Sequence, residues 1–155
     1  MPAAALSMCL EEAIRPAPRE ETPKRVLIDS PAAIPDLRTI LTELNWAALE
    51  VCTWREARSF FGHDRVPIII TEIRLPDGDW KDMLASTREM TSPPNVVITN
   101  RLSDERLWAE VLNLGGYDVL VQPFRRDEVA FVLDAALRNW RQRQPLSWAP
   151  HFRNP

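Results

Sequence analysis

The sequence predicts a three-layer α/β domain: five parallel strands, doubly wound, with helices on both faces. Three observations carry this. Val66 to Thr71 is a β-branched apolar run with no polar face, the pattern of a strand buried on both sides. Helical periodicity follows apolar strand runs repeatedly along the chain, and such alternation implies a parallel sheet with right-handed crossovers. The apolar runs end in polar residues (Asp29, Glu72, Thr99-Asn100 and Gln122), as expected where strands meet a ligand-binding edge.

Composition is that of one globular domain. The 155 residues are 45% hydrophobic and 26% charged, with a net charge of −3. That balance excludes a basic nucleic-acid binder. No stretch approaches the roughly 18 apolar residues of a membrane span. The first ten residues lack the basic start of a secretory signal, so a cytoplasmic location is expected. Cys9 and Cys52 show no metal or redox spacing and are expected to be free thiols. His63 and His151 are isolated, without the cluster a metal site needs.

In chain order, residues 1–23 hold four prolines and read as a tail or linker. Lys24 to Asp29 is the first strand. Ile34, Leu37, Ile40, Leu41 and Leu44 repeat at helical spacing, placing a helix over 35–45. Ala48 to Thr53 reads as a strand and Trp54 to Phe61 as a short helix, with Ala57, Phe60 and Phe61 on one face and Gly62 as its stop. The central strand follows, then a loop broken by Pro76 and Asp77-Gly78.

Asp79 to Met90 reads as a helix turning Trp80, Met83, Leu84 and Thr87 inward, ended by Ser92-Pro93-Pro94. Asn95 to Thr99 is the fourth strand. Ser103 is the expected N-cap of the next helix, with Asp104 and Glu105 in its first turn, Leu107, Val111, Leu112 and Leu114 buried, and Gly115-Gly116 closing it. Tyr117 to Val121 is the fifth strand. Arg126 to Gln142 is the last helix, with Val129, Val132, Leu133, Ala136, Leu137 and Trp140 at core spacing. Trp46, Trp108 and Trp140 are expected in packing. The ordered domain is expected over 24–143, and residues 144–155 read as a second tail carrying Trp148 and Phe152.

Acids, a hydroxyl and amides therefore gather at one edge of the sheet. At this point the chain resembles the receiver domain of bacterial two-component response regulators, a flavodoxin-like fold. The resemblance covers about residues 24–142. It rests on the loop after Glu72 (Pro76, Asp77-Gly78-Asp79), on Gly115, Tyr117-Asp118 and Gln122-Pro123-Phe124, and on the spacing of Asp29, Glu72, Thr99 and Gln122.

The resemblance implies roles, and the departures remove several of them. Glu72 stands in the phosphoacceptor position, where the family has aspartate. An acidic pocket of Asp29 and Glu72 is implied, with Ile28 where the family has a further acid. Gln122 replaces the family's lysine. Thr99 keeps the phosphoryl-sensing hydroxyl, and Val119 stands in the switch-aromatic position. A metal would fall to Asp29, Glu72 and the Arg74 backbone carbonyl, so Mg²⁺ binding is expected to be weak or absent and no other cofactor is implied.

Phosphoryl transfer needs a metal, a positioned nucleophile and a cation on the phosphoryl oxygens. Displacing a reacting group by about 1 Å can cost roughly a hundredfold in rate. The expectation is a stand-alone, non-enzymatic signalling domain, with Glu72 reaching toward Thr99 and acting by protein contact without phosphorylation. Its partner would be a signalling protein, a histidine kinase or a second copy, paired through the last strand and helix. Arg125, Arg126, Arg138, Arg141 and Arg143 make that helix basic outside. Two alternatives stay open: a working phosphoacceptor that uses Glu72, and a flavodoxin-like domain binding a small ligand. Against the second, Ser30-Pro31-Ala32-Ala33 stands where a Gly-rich phosphate loop would follow the first strand.

Overall fold

The computed structural model describes residues 24–30, 35–61 and 66–144. The two tails, Ile34, Gly62 and His63 lie outside them. The elements run β1 (Arg25–Asp29), α1 (Pro35–Glu43), β2 (Ala47–Val51), α2 (Trp54–Ser59), β3 (Ile68–Glu72), β4 (Arg74–Leu75), β5 (Gly78–Asp79), α3 (Trp80–Arg88), β6 (Asn95–Asn100), α4 (Glu105–Asn113), β7 (Asp118–Val121) and α5 (Arg126–Arg143).

Five strands form one sheet in the order β2-β1-β3-β6-β7, every pairing parallel. Alternation along each strand divides the core in two. Val26, Ile28, Ile68, Ile70, Val97 and Leu120 pack with α1 and α5. Leu27, Ile69, Val96 and Ile98 pack on the other face, with Ala57 of α2, Met83 of α3 and Val111 of α4. The predicted doubly wound three-layer architecture is the one observed.

Local chemistry moves several boundaries. β3 starts at Ile68, because Pro67 has no N–H to give a ladder; its carbonyl accepts from Asn95. β2 ends at Val51, which leaves Cys52 exposed beyond the strand. The loop after Glu72, expected to be irregular, closes a two-stranded antiparallel hairpin, β4 with β5. Asp79 is the N-cap of α3 in a capping box with Asp82.

The cap of α4 is Asp104, whose carboxylate accepts from the Arg106 and Leu107 N–H groups, and not Ser103. Only Leu107 and Val111 of α4 are buried. Leu112 follows Val111 by about 100° around the helix and is 39% exposed, and Leu114 is also exposed. Trp108, expected inside, is 51% exposed; its indole N–H donates to the Asp118 carboxylate. Trp46 and Trp140 are buried as expected.

Candidate functional site

A cleft of about 380 Å³ opens at the C-terminal edge of the sheet, lined by Glu72, Ile73, Arg74, Thr99, Asn100, Arg101 and Gln122. Three adjacent strands build it. Glu72 ends β3 directly across from Thr99 of β6. The N–H of Gln122, just beyond β7, donates to the Asn100 carbonyl and holds that residue beside β6. Arg74 begins the hairpin and Arg101 follows β6; both are exposed.

The Glu72 carboxylate turns toward β1, where the Ser30 hydroxyl donates to it at 2.8 Å. It was expected to reach Thr99. The Thr99 hydroxyl is buried and directed at the Thr71 carbonyl instead, at 3.5 Å. Ser30 follows Asp29, the register partner of Thr71, just as Glu72 follows Thr71, so Ser30 meets Glu72 on the side of the sheet that also holds Thr99, the register partner of Glu72 on β6.

The same alternation keeps Asp29 out of the cleft. It lies on the Leu27 side, toward α2 and the loop after β3, while Glu72 lies on the Ile68–Ile70 side. Asp29 is wholly buried, and neither carboxylate oxygen has a hydrogen-bond partner among the described residues. Burial, followed by the charges of Asp77, Glu56 and Glu72, raises its pKa from 3.8 to about 7. Ile28 is core, packed toward α1 and α5 one rung below Ser30. The position beside Glu72 is Ser30, which sequence reasoning passed over as part of a missing glycine loop.

Asp77 has a different duty from either acid. Its carboxylate accepts from the Trp54 and Arg55 N–H groups, at 2.8 and 2.9 Å, and caps α2 from the far side of the loop. Those two bonds, Trp54 first, hold its pKa below the usual value. Val119 packs against the α2–α3–α4 side of the core, and its N–H donates to its neighbour Asp118; it does not line the cleft.

These positions do not fit a Mg²⁺ site. The ion needs near-octahedral oxygens around one point. Asp29 and Glu72 project to opposite sides of the sheet, and Glu72 is engaged by Ser30. Among the described residues no three His, Cys, Asp or Glu side chains form a group able to hold a metal ion.

No family model matches the sequence. The transcriptional regulatory protein FixJ of Bradyrhizobium diazoefficiens is 27% identical over 117 residues, covering 72% of this chain and 55% of that protein. A sequence named as the transcriptional regulatory protein y4xI of Sinorhizobium fredii is 33% identical over 102 residues, 66% of this chain and 45% of that protein. The chain thus spans about half the length of the curated relatives it matches. The signal receiver domain of an HD domain-containing protein from Pseudomonas fluorescens superposes with a TM-score of 0.71 at 21% identity, covering 84% of this chain and 100% of that one. The receiver domain of a signal transduction histidine kinase from Syntrophus aciditrophicus gives 0.65 at 21%, covering 80% and 97%. The architecture of this chain is the flavodoxin-like α/β fold of receiver domains.

Proposed function

We propose that this chain is a receiver-like signalling domain of a two-component system that works by protein contact, without phosphorylation of Glu72. Its similarity to bacterial regulatory proteins supports the signalling role. One observation carries the rest: the Glu72 carboxylate is satisfied by Ser30, at the place where a receiver chemistry needs a carboxylate to share a metal. Among the described residues no lysine lines the cleft, and Gln122 stands there as a neutral amide. A nucleophile tied to a hydroxyl, with no metal site and a neutral amide in the lysine's position, lacks the arrangement that phosphoryl transfer requires.

Glu72 then acts as a fixed charge. One carboxylate–hydroxyl hydrogen bond supplies about 1.5–3 kcal/mol. Moving a two-state equilibrium from 1:99 to 99:1 takes about 5.5 kcal/mol. Glu72 therefore biases the domain toward one state without locking it. The partner is a signalling protein, a histidine kinase or a second copy of this chain, and the location is cytoplasmic.

Intact mass spectrometry after acetyl phosphate treatment and desalting tests the reading. The expected result is unmodified protein. A stoichiometric phosphoryl adduct that vanishes in Glu72→Ala would establish a working phosphoacceptor instead.

A further inference from the structure

We propose that the crease between α2 and α3 binds a free α-amino acid with an apolar side chain, its carboxylate on Arg58 and its ammonium on Glu89 and Ser86. Two helical stripes meet there. On α2, Trp54 and Arg58 stand four residues apart and Phe61 follows just beyond the helix, so the three share one side. At the C-terminal end of α3, Glu89 and Met90 stand three and four residues after Ser86. Together the two stripes line a cavity of about 290 Å³. A second cavity, of about 430 Å³, shares Trp54 and Arg58 with it and extends to Asp77. Both helices run back from the tips of parallel strands, so their C-terminal ends lie toward the edge of the sheet opposite the Glu72 cleft.

The chemistry of the walls sets the class of ligand. The floor is apolar: the Trp54 and Phe61 ring centroids are 5.5 Å apart, and both rings are half-buried, as is Met90. Arg58 and Glu89 are exposed, and neither side chain makes a hydrogen bond or ion pair among the described residues. They line one cavity without pairing with each other, so a cation and an anion stand uncompensated on opposite helices. The Ser86 hydroxyl donates to the Asp82 carbonyl, which leaves its lone pairs free to accept. Asp77 is already taken by the Trp54 and Arg55 N–H groups. A ligand that completes this set carries one anion, one cation and an apolar body. A carboxylate meets a guanidinium in bidentate geometry. An ammonium offers three donors, which suits Glu89 and Ser86. An apolar side chain covers the indole. A free α-amino acid holds all three groups on one carbon. The smaller cavity is at the lower end of the roughly 300–1,000 Å³ range of small-molecule sites, which suits a ligand of that size.

The site does not depend on the state of Glu72. Amide-shift NMR on the whole chain, titrated with L-leucine, tests it. Saturable shifts centred on Trp54 to Phe61 and Ser86 to Met90 are expected. N-acetyl-leucine lacks the ammonium, leucinamide lacks the carboxylate and glycine lacks the apolar body. Arg58→Gln and Glu89→Gln change exposed side chains only. Each analogue with the parent protein, and each variant with leucine, should bind about tenfold more weakly, the loss of one charge-assisted hydrogen bond or its apolar equivalent. The crossed cases read the orientation: Arg58→Gln leaves leucinamide binding unchanged, and Glu89→Gln leaves N-acetyl-leucine binding unchanged. Absence of saturable shifts with leucine overturns the proposal. So does binding of N-acetyl-leucine or leucinamide as tight as that of leucine, or leucine binding indifferent to Arg58→Gln and Glu89→Gln.

Discussion

Asp29 is buried at the tip of β1 and feels the charges of Asp77, Glu56 and Glu72, with no partner for either oxygen among the described residues. Its pKa of about 7 lies above the 3.8 of the free group, and that fixes the sign of its effect. Below pH 4 both the folded and unfolded chains hold the proton, and Asp29 costs nothing. Between 4 and 7 the unfolded chain releases it and the folded chain does not, so stability falls as pH rises. The fall is complete once pH passes about 7, at a total of at most about 4 kcal/mol from roughly 1.4 kcal/mol per pH unit. Asp29→Asn, neutral at every pH, should therefore be more stable than the parent at pH 8, by up to that amount. The advantage should shrink toward zero near pH 4. Urea denaturation at pH 4.5 and 8 measures both; an equal offset at the two values would show that burial does not raise the Asp29 pKa. Reading tips alone puts Asp29 and Glu72 in one pocket. Period-2 alternation together with strand register separates them, and register is a tertiary fact that the sequence does not print.

At the scale of elements, α2 is the piece least able to stand alone. Its six residues are far short of the roughly 12–15 at which an isolated helix is even marginal. Its first N–H groups are satisfied from outside by Asp77, across the loop that follows β3. Glu56 donates its N–H to Thr53 as a local cap. Asp77→Ala should thus raise hydrogen exchange at Trp54 and Arg55 and leave α1 and α5 unchanged; exchange in α2 no different from the parent would remove Asp77 as its cap. Long apolar runs with strong periodicity, β1, β3 and α5, were legible because burial on one or both faces selects their residues. The β4–β5 hairpin was not, since Pro76, Asp77 and Gly78 signal a break but not the two short rungs flanking it. Leu112 and Leu114 misled for a related reason: leucine follows helical spacing whether its stripe meets a sheet or open solvent.

For the molecule as a whole, apolar side chains that the core does not use lie on its last helices. Trp108 and Leu112 of α4 are exposed, and Phe131 of α5 is 72% exposed. Exposed apolar groups of this size mark contact surfaces when they cluster. Of the charges expected to frame a dimer face, Arg126 pairs with Glu43 of α1, while Asp118 is held by Trp108. Arg125 and Arg138 remain exposed, with Phe131 also exposed on the same helix. The order of strands and helices was readable from sequence, because it follows from alternation alone. The partner was not, because it depends on side chains that no internal packing constrains. A second copy is the partner this face predicts, joined through β7 and α5. Sedimentation velocity should show concentration-dependent association at low ionic strength. Raising the salt should weaken the part carried by exposed charges, which a Debye length of about 8 Å at 0.15 M screens. Phe131→Asp should weaken association at every salt concentration, because it removes apolar contact and adds an unpaired charge. A strict monomer at high protein concentration in low salt would leave the apolar groups of α4 and α5 to a different protein.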